Sequence, residues 1–154
     1  MHRISIDLFD ETIRAVVAEY VTQISHEAKR RSFLAANELK TASAEVLAGE
    51  RSGRIYRIPE TKKRYQASAP GEAPASRLND LRKSWLPQSH AEQRGEALML
   101  KAEIASNIPY ADYLEHGTKN ENGEWRIKPR PYHNAIRAKA IPRVKAIYKR
   151  RYFH

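Results

Sequence analysis

Ile13, Val16, Val17, Tyr20, Val21 and Ile24 stand at i, i+3, i+4, i+7, i+8 and i+11. That 3.6-residue period commits the start of the chain to an amphipathic helix. Asp10 supplies a start signal, and Ala-rich polar sequence over residues 28–48 carries the helix onward, with a break expected near Asn37 and a stop at Gly49. One long N-terminal helix, or two in series, is the expectation.

Beyond Gly53 the period changes. Arg54-Ile55-Tyr56-Arg57-Ile58 is β-branched and aromatic and ends at Pro59, as an edge strand does. Residues 59–75 hold Pro59, Pro70, Gly71 and Pro74 around Tyr65-Gln66-Ala67-Ser68-Ala69, which predicts an extended loop. Ser76 is placed to cap a short central helix carrying Leu78, Leu81 and Trp85, interrupted by Pro87. Leu98, Leu100, Ala102 and Ile104 alternate with Met99, Lys101 and Glu103, the period of a half-buried strand, entered by a turn at Gly95. Residues 110–115 suit one helical turn behind Pro109, and Gly117 and Gly123 bracket a polar loop leading to a short strand over 125–128. Pro129 and Pro131 end that strand, and Pro131 opens a last helix in which Ile136, Ala140, Val144 and Ile147 share a face; Pro142 inside it predicts a kink or a restart.

The pattern predicts an α+β fold, with a long N-terminal helix and a C-terminal helix packed on a small antiparallel β-sheet and a short central helix. At 154 residues one domain is expected: a helical segment over 1–50, a sheet with extended loop and short helix over 51–128, and a basic helix over 129–154.

Several function classes drop out. With no Cys there is no disulfide framework, thiol nucleophile or thiolate metal site. No apolar run approaches the roughly 20 residues of a membrane span, and the first ten residues lack the layout of a secretory signal, so cytoplasmic synthesis is expected. His2, His26, His90, His116, His133 and His154 are scattered without a ligand spacing, and neither a phosphate-cradling glycine cluster nor G-x-S-x-G occurs. Glu115 and His116 are neighbours that point apart on a helix, not an acid/base pair. Trp85 and Trp125 both sit in apolar patterns and are read as core. Neither an enzyme nor a cofactor is expected.

The charge is unevenly placed. Lys+Arg 28 against Asp+Glu 18 gives +10, yet residues 1–75 carry 12 basic and 10 acidic side chains and 76–125 carry 6 and 8. The excess therefore lies in Arg126, Lys128, Arg130, Arg137, Lys139, Arg143, Lys145, Lys149, Arg150 and Arg151, with no acidic residue among them. Interleaved with Tyr132, Tyr148, Tyr152 and Phe153, this is either a solvated basic helix or a face for DNA or an acidic partner.

Three segments in order carry a resemblance: Tyr65-Gln66-Ala67-Ser68-Ala69-Pro70-Gly71-Glu72-Ala73-Pro74-Ala75, then Tyr110-Ala111-Asp112-Tyr113-Leu114-Glu115-His116-Gly117-Thr118, then Arg130-Pro131-Tyr132. Together they resemble the tail-completion or head-tail joining proteins (phage morphogenesis, minor tail components) of long-tailed bacteriophages and prophages. Many relatives carry a Gly before the first Leu of the central helix, where this chain has Ser76-Arg77-Leu78.

The resemblance implies a non-enzymatic virion structural protein at the neck or tail, made in the host cytoplasm during assembly. It implies a ring of copies, a hexamer in the particle, touching the head connector and the tail tube or tail terminator, with DNA in its channel and no membrane. A chain that is monomeric in solution is compatible with such a ring. Pro70, Gly71, Glu72, Pro74, Glu115, Gly117, Arg130, Pro131 and Tyr132 are then candidates for subunit or partner contact, with Glu72 presenting its charge at a loop tip. The other reading is a small basic module that binds nucleic acid nonspecifically through the C-terminal helix.

Overall fold

The computed structural model describes residues 6–76 and 79–152, and in the first helix it describes side chains from Ala18 onward. The side chains of Ile13, Val16 and Val17, and residues His2, Leu78, Phe153 and His154, lie outside the described residues.

The fold is α+β. Helix α1 is one continuous helix, Ile6–Ala48, about 65 Å long at 1.5 Å per residue. It is already formed upstream of Asp10, and it passes Asn37 unbroken, with the Asn37 amide folded back along the helix to donate to the Phe33 carbonyl at 3.1 Å. Gly49 ends it as expected.

The strands form three separate two-stranded antiparallel sheets. Strand β1 (Ile55–Arg57) pairs with β2 (Arg64–Gln66), so part of the expected extended loop is a strand, held by the stacked rings of Tyr56 and Tyr65 at 5.9 Å. Helix α2 is only Asp80–Lys83; Ser76 does not cap it, its hydroxyl bonding the Asn79 side chain at 2.6 Å. Pro87 does not interrupt that helix either, because it sits in β3 (Leu86–Arg94) opposite Ile104 of β4 (Ala97–Ala105). A proline is tolerated there because β3 pairs on one side only. Gly95, with φ 60°, makes the two-residue turn between them. Helix α3 (Ala111–His116) and β6 (Trp125–Ile127) follow the sequence reading, whereas β5 (Thr118–Lys119), the partner of β6, lies in the stretch read as a polar loop.

Helix α4 is His133–Lys149 and runs through Pro142 without a restart. The carbonyl that Pro142 deprives of a donor belongs to Ala138; both residues are exposed, which leaves it open to solvent.

Ala42, Leu47, Leu81, Trp85, Tyr132, Ile136 and Ala140 form the core where α4 and the β3–β4 hairpin lie on α1. Helices α1 and α4 are antiparallel, since Arg143 and Lys139 meet Glu45 while the end of α4 meets Arg31. Small residues on α1, Ala35, Ala36, Ser32 and Ser43, are fully buried and let its neighbours approach closely. Trp125 departs from the core reading: it is 46% exposed, with the Lys119 ammonium 4.5 Å from its ring.

Candidate partner interface

Tyr132 joins the second and third resemblance segments, and its neighbour Arg130 ties in the first. Fully buried, it donates its hydroxyl to the Ala111 carbonyl at 3.0 Å and packs edge-on to Trp85 at 6.1 Å and to His133 at 4.6 Å. Burial, with Glu115 and Asp112 nearby, pushes its phenol up to about 12. The Glu115 carboxylate accepts from the backbone nitrogens of Tyr132 (2.7 Å) and His133 (3.2 Å), so a side chain of α3 caps the start of α4. Arg130 closes the same junction, donating its backbone nitrogen to the Leu114 carbonyl at 2.7 Å and its guanidinium to the Ser68 carbonyl. Pro131 is exposed beside it.

Gly117 holds φ 74° at a crowded turn. A Cβ there would stand 2.6 Å from the Ile127 carbonyl oxygen and 2.8 Å from the Trp125 ring. The proline-rich loop joins the cluster through Gly71, whose nitrogen donates to the Pro129 carbonyl at 3.3 Å.

Glu72 is not a free charge at a loop tip. Its carboxylate turns inward to accept from the Ser52 hydroxyl, from the Ser52 nitrogen at 3.1 Å and from the Ala69 nitrogen at 2.8 Å. The Ser52 hydroxyl, then the Ala69 and Ser52 amides, hold its pKa down at about 2. Pro74 is buried and its carbonyl accepts from Arg51, which also donates to the carbonyls of Val46, Gly49 and Glu50 at the end of α1. Of the nine residues read as partner contacts, Glu72, Glu115, Arg130 and Tyr132 spend their side chains inside the fold, while Pro70, Gly71 and Pro131 stay exposed.

An open, mostly apolar groove of about 380 Å³ flanks this cluster, lined by Leu47, Pro74, Ala75, Leu81, Tyr110 and Leu114. The nitrogen of Trp85 is the one buried side-chain polar atom among the described residues without a hydrogen-bond partner. No group among them has the makings of a metal site.

The basic segment divides in two. Arg143 reaches Glu45 at 3.0 Å and Glu38 at 3.8 Å, and Lys139 reaches Glu45 at 3.3 Å; the Arg143 guanidinium, ahead of Lys139, lowers the Glu45 pKa. Arg126, Lys128, Arg137, Lys145, Lys149, Arg150 and Arg151 are exposed, and none makes an ion pair with a described carboxylate. Two cations missed by the sequence reading, Arg31 and Arg51, are the ones that organise backbone. Arg31, 2% exposed, donates to the carbonyls of Arg150 (2.7 Å) and Arg151 (2.6 Å), pairs with Glu27 at 2.8 Å and lies 3.9 Å from the Tyr152 ring centre.

Compared with protein-family models, curated proteins and solved structures, the chain has no match in any of the three.

Proposed function

We propose that this chain is a non-enzymatic virion structural protein of a long-tailed phage or prophage, a tail-completion or head-tail joining component that acts as an oligomeric ring adaptor. The observation that carries the reading is exposed apolar surface: Val21, Ile24, Phe33, Ile55, Leu86, Met99 and Ile141 are large apolar side chains that the described residues leave on the outside.

The sequence motifs support the same role from inside the fold. They lock α3, the proline-rich loop and the start of α4 into one rigid junction, which presents neighbouring surfaces at fixed angles. The nucleic-acid reading is weaker because Lys139 and Arg143 are engaged by α1 carboxylates and Ile141 and Tyr148 interrupt the remaining cations with apolar surface.

The test is the solution mass by light scattering across protein and salt concentrations, with and without DNA, paired with negative-stain electron microscopy. A discrete ring that forms without DNA is expected. A monomer at every concentration that coats DNA and leaves it steeply as salt rises overturns the reading.

A further inference from the structure

We infer that the exposed flank of α4 is the seat for the N-terminal part of α1 from a second copy of this chain. This deepens the ring reading and rests on it. Because α4 runs antiparallel to α1 and ends beside Arg31, the helix itself covers α1 no further, and beyond it Tyr152 flanks Thr22, Gln23 and His26. Residues 18–24 are exposed, Ile24 to 42%. At 3.6 residues per turn, Ile24 shares a face with Arg31, Ala35 and Ala42, all buried. The face that makes the core therefore continues past the core as apolar surface, with Val21 56% exposed.

The seat is a second stripe. Arg137, Ile141, Lys145 and Tyr148 fall at i, i+4, i+8 and i+11 of α4, on the flank away from Lys139 and Arg143, and all four are exposed. In the sequence of α1, Ile13, Val17, Val21 and Ile24 have the same four spacings. Each stripe spans about 17 Å of helix, and matched spacing is what lets two helices interdigitate.

Charge selects the occupant. Residues 1–24 hold Asp7, Asp10, Glu11 and Glu19 against Arg3 and Arg14, a net of 2 − 4 = −2. The seat presents Arg137, Lys145 and Lys149, followed by Arg150 and Arg151, and none of these pairs with a described carboxylate. An acidic apolar helix meets a basic apolar one. Arm and seat are different surfaces, so each copy gives one arm and receives one, the head-to-tail contact that closes into a ring.

The absence of Cys makes the test free of background. Val21→Cys and Lys145→Cys, both at exposed positions, are treated with a bis-maleimide. The double variant is expected to give a ladder of crosslinked species, an equimolar mixture of the single variants a dimer and no more, and each single variant alone only monomer. Lys145→Glu with Lys149→Glu in that background is expected to cut the ladder roughly tenfold while circular dichroism stays unchanged. Dimers from Val21→Cys alone mean that arms pair with each other and overturn the seat. Assembly by light scattering without the crosslink places the seat elsewhere and leaves the ring reading standing; no assembly and no crosslink at any concentration overturns the seat. Loss of Lys145→Cys reactivity on adding DNA, with no ladder, gives the flank to nucleic acid and overturns the proposal.

Discussion

Arg31 donates to the carbonyl of Arg151 at 2.6 Å, across 120 residues of sequence. With Arg150 and the Tyr152 ring in the same grip, one buried guanidinium fastens the end of the last helix to the middle of the first. Arg31→Ala leaves those carbonyls without their cation and Glu27 with Arg30 alone. We expect it to cost about 3 kcal/mol in urea unfolding, with Arg31→Lys intermediate, because an ammonium cannot reproduce the guanidinium fork. Equal stability of Arg31→Ala and the unaltered chain would remove the fastening role.

Gly117 and Gly95 both hold positive φ, and only one of them is crowded. Gly95→Ala meets no atom within 4 Å and is expected to cost about 1 kcal/mol, the strain of a left-handed alanine. Gly117→Ala also drives a methyl group into the Ile127 carbonyl and is expected to cost at least about 3 kcal/mol. Thermal melts of the two variants side by side read the difference, and a smaller loss at Gly117 would contradict the packing described.

Tyr132 separates packing from hydrogen bonding. Tyr132→Phe keeps the ring against Trp85 and removes the hydrogen bond to the Ala111 carbonyl, for an expected loss of about 1 kcal/mol. Tyr132→Ala also opens a cavity, for about 4 kcal/mol. Urea midpoints that coincide for the two variants would show that the ring contributes nothing.

Acid should loosen the chain in a window set by Glu72 and Glu27. Both carboxylates are held at about 2, below the ordinary 4.5, Glu72 first by the Ser52 hydroxyl and Glu27 first by Arg30 and then Arg31. A lowered folded pKa adds stability above pH 4.5 that disappears as pH falls toward 2. Glu72→Gln is expected to flatten the stability curve in that window, and Glu27→Gln with Glu72→Gln to flatten it further. A curve unchanged by both substitutions would mean that neither contact survives in solution.

Local signals carried much of this fold. The alternation of Leu98, Leu100, Ala102 and Ile104 gave β4, and the face of Ile136, Ala140 and Ile147 gave α4, because in both the buried side is written in apolar residues at the right period. Strand β3 was not legible: Gln88, His90, Glu92 and Arg94 alternate with Ser89, Ala91 and Gln93, so neither face is apolar and only pairing with β4 makes it a strand. Strand β2 depends likewise on partners met nine residues earlier, Tyr65 on Tyr56. The segments around Tyr132 were legible as motifs, but which way Glu72 turns is decided by Ser52, twenty residues away. Arg31 and Arg51 carry no local mark at all; a lone arginine becomes a fastener only when distant carbonyls arrive.

The antiparallel packing of α1 against α4 also sets an order of events during synthesis. Helix α1 leaves the ribosome first, and the surface that covers Ala35, Ala42 and Arg31 is translated last. At 5–20 residues per second, roughly ten seconds separate the two. Through that interval the part of α1 that α4 will cover stays open, and only the β3–β4 hairpin, translated midway, can shield the rest of its inner face. For those seconds Arg31, buried in the folded chain, is a cation with no C-terminal carbonyls to hold.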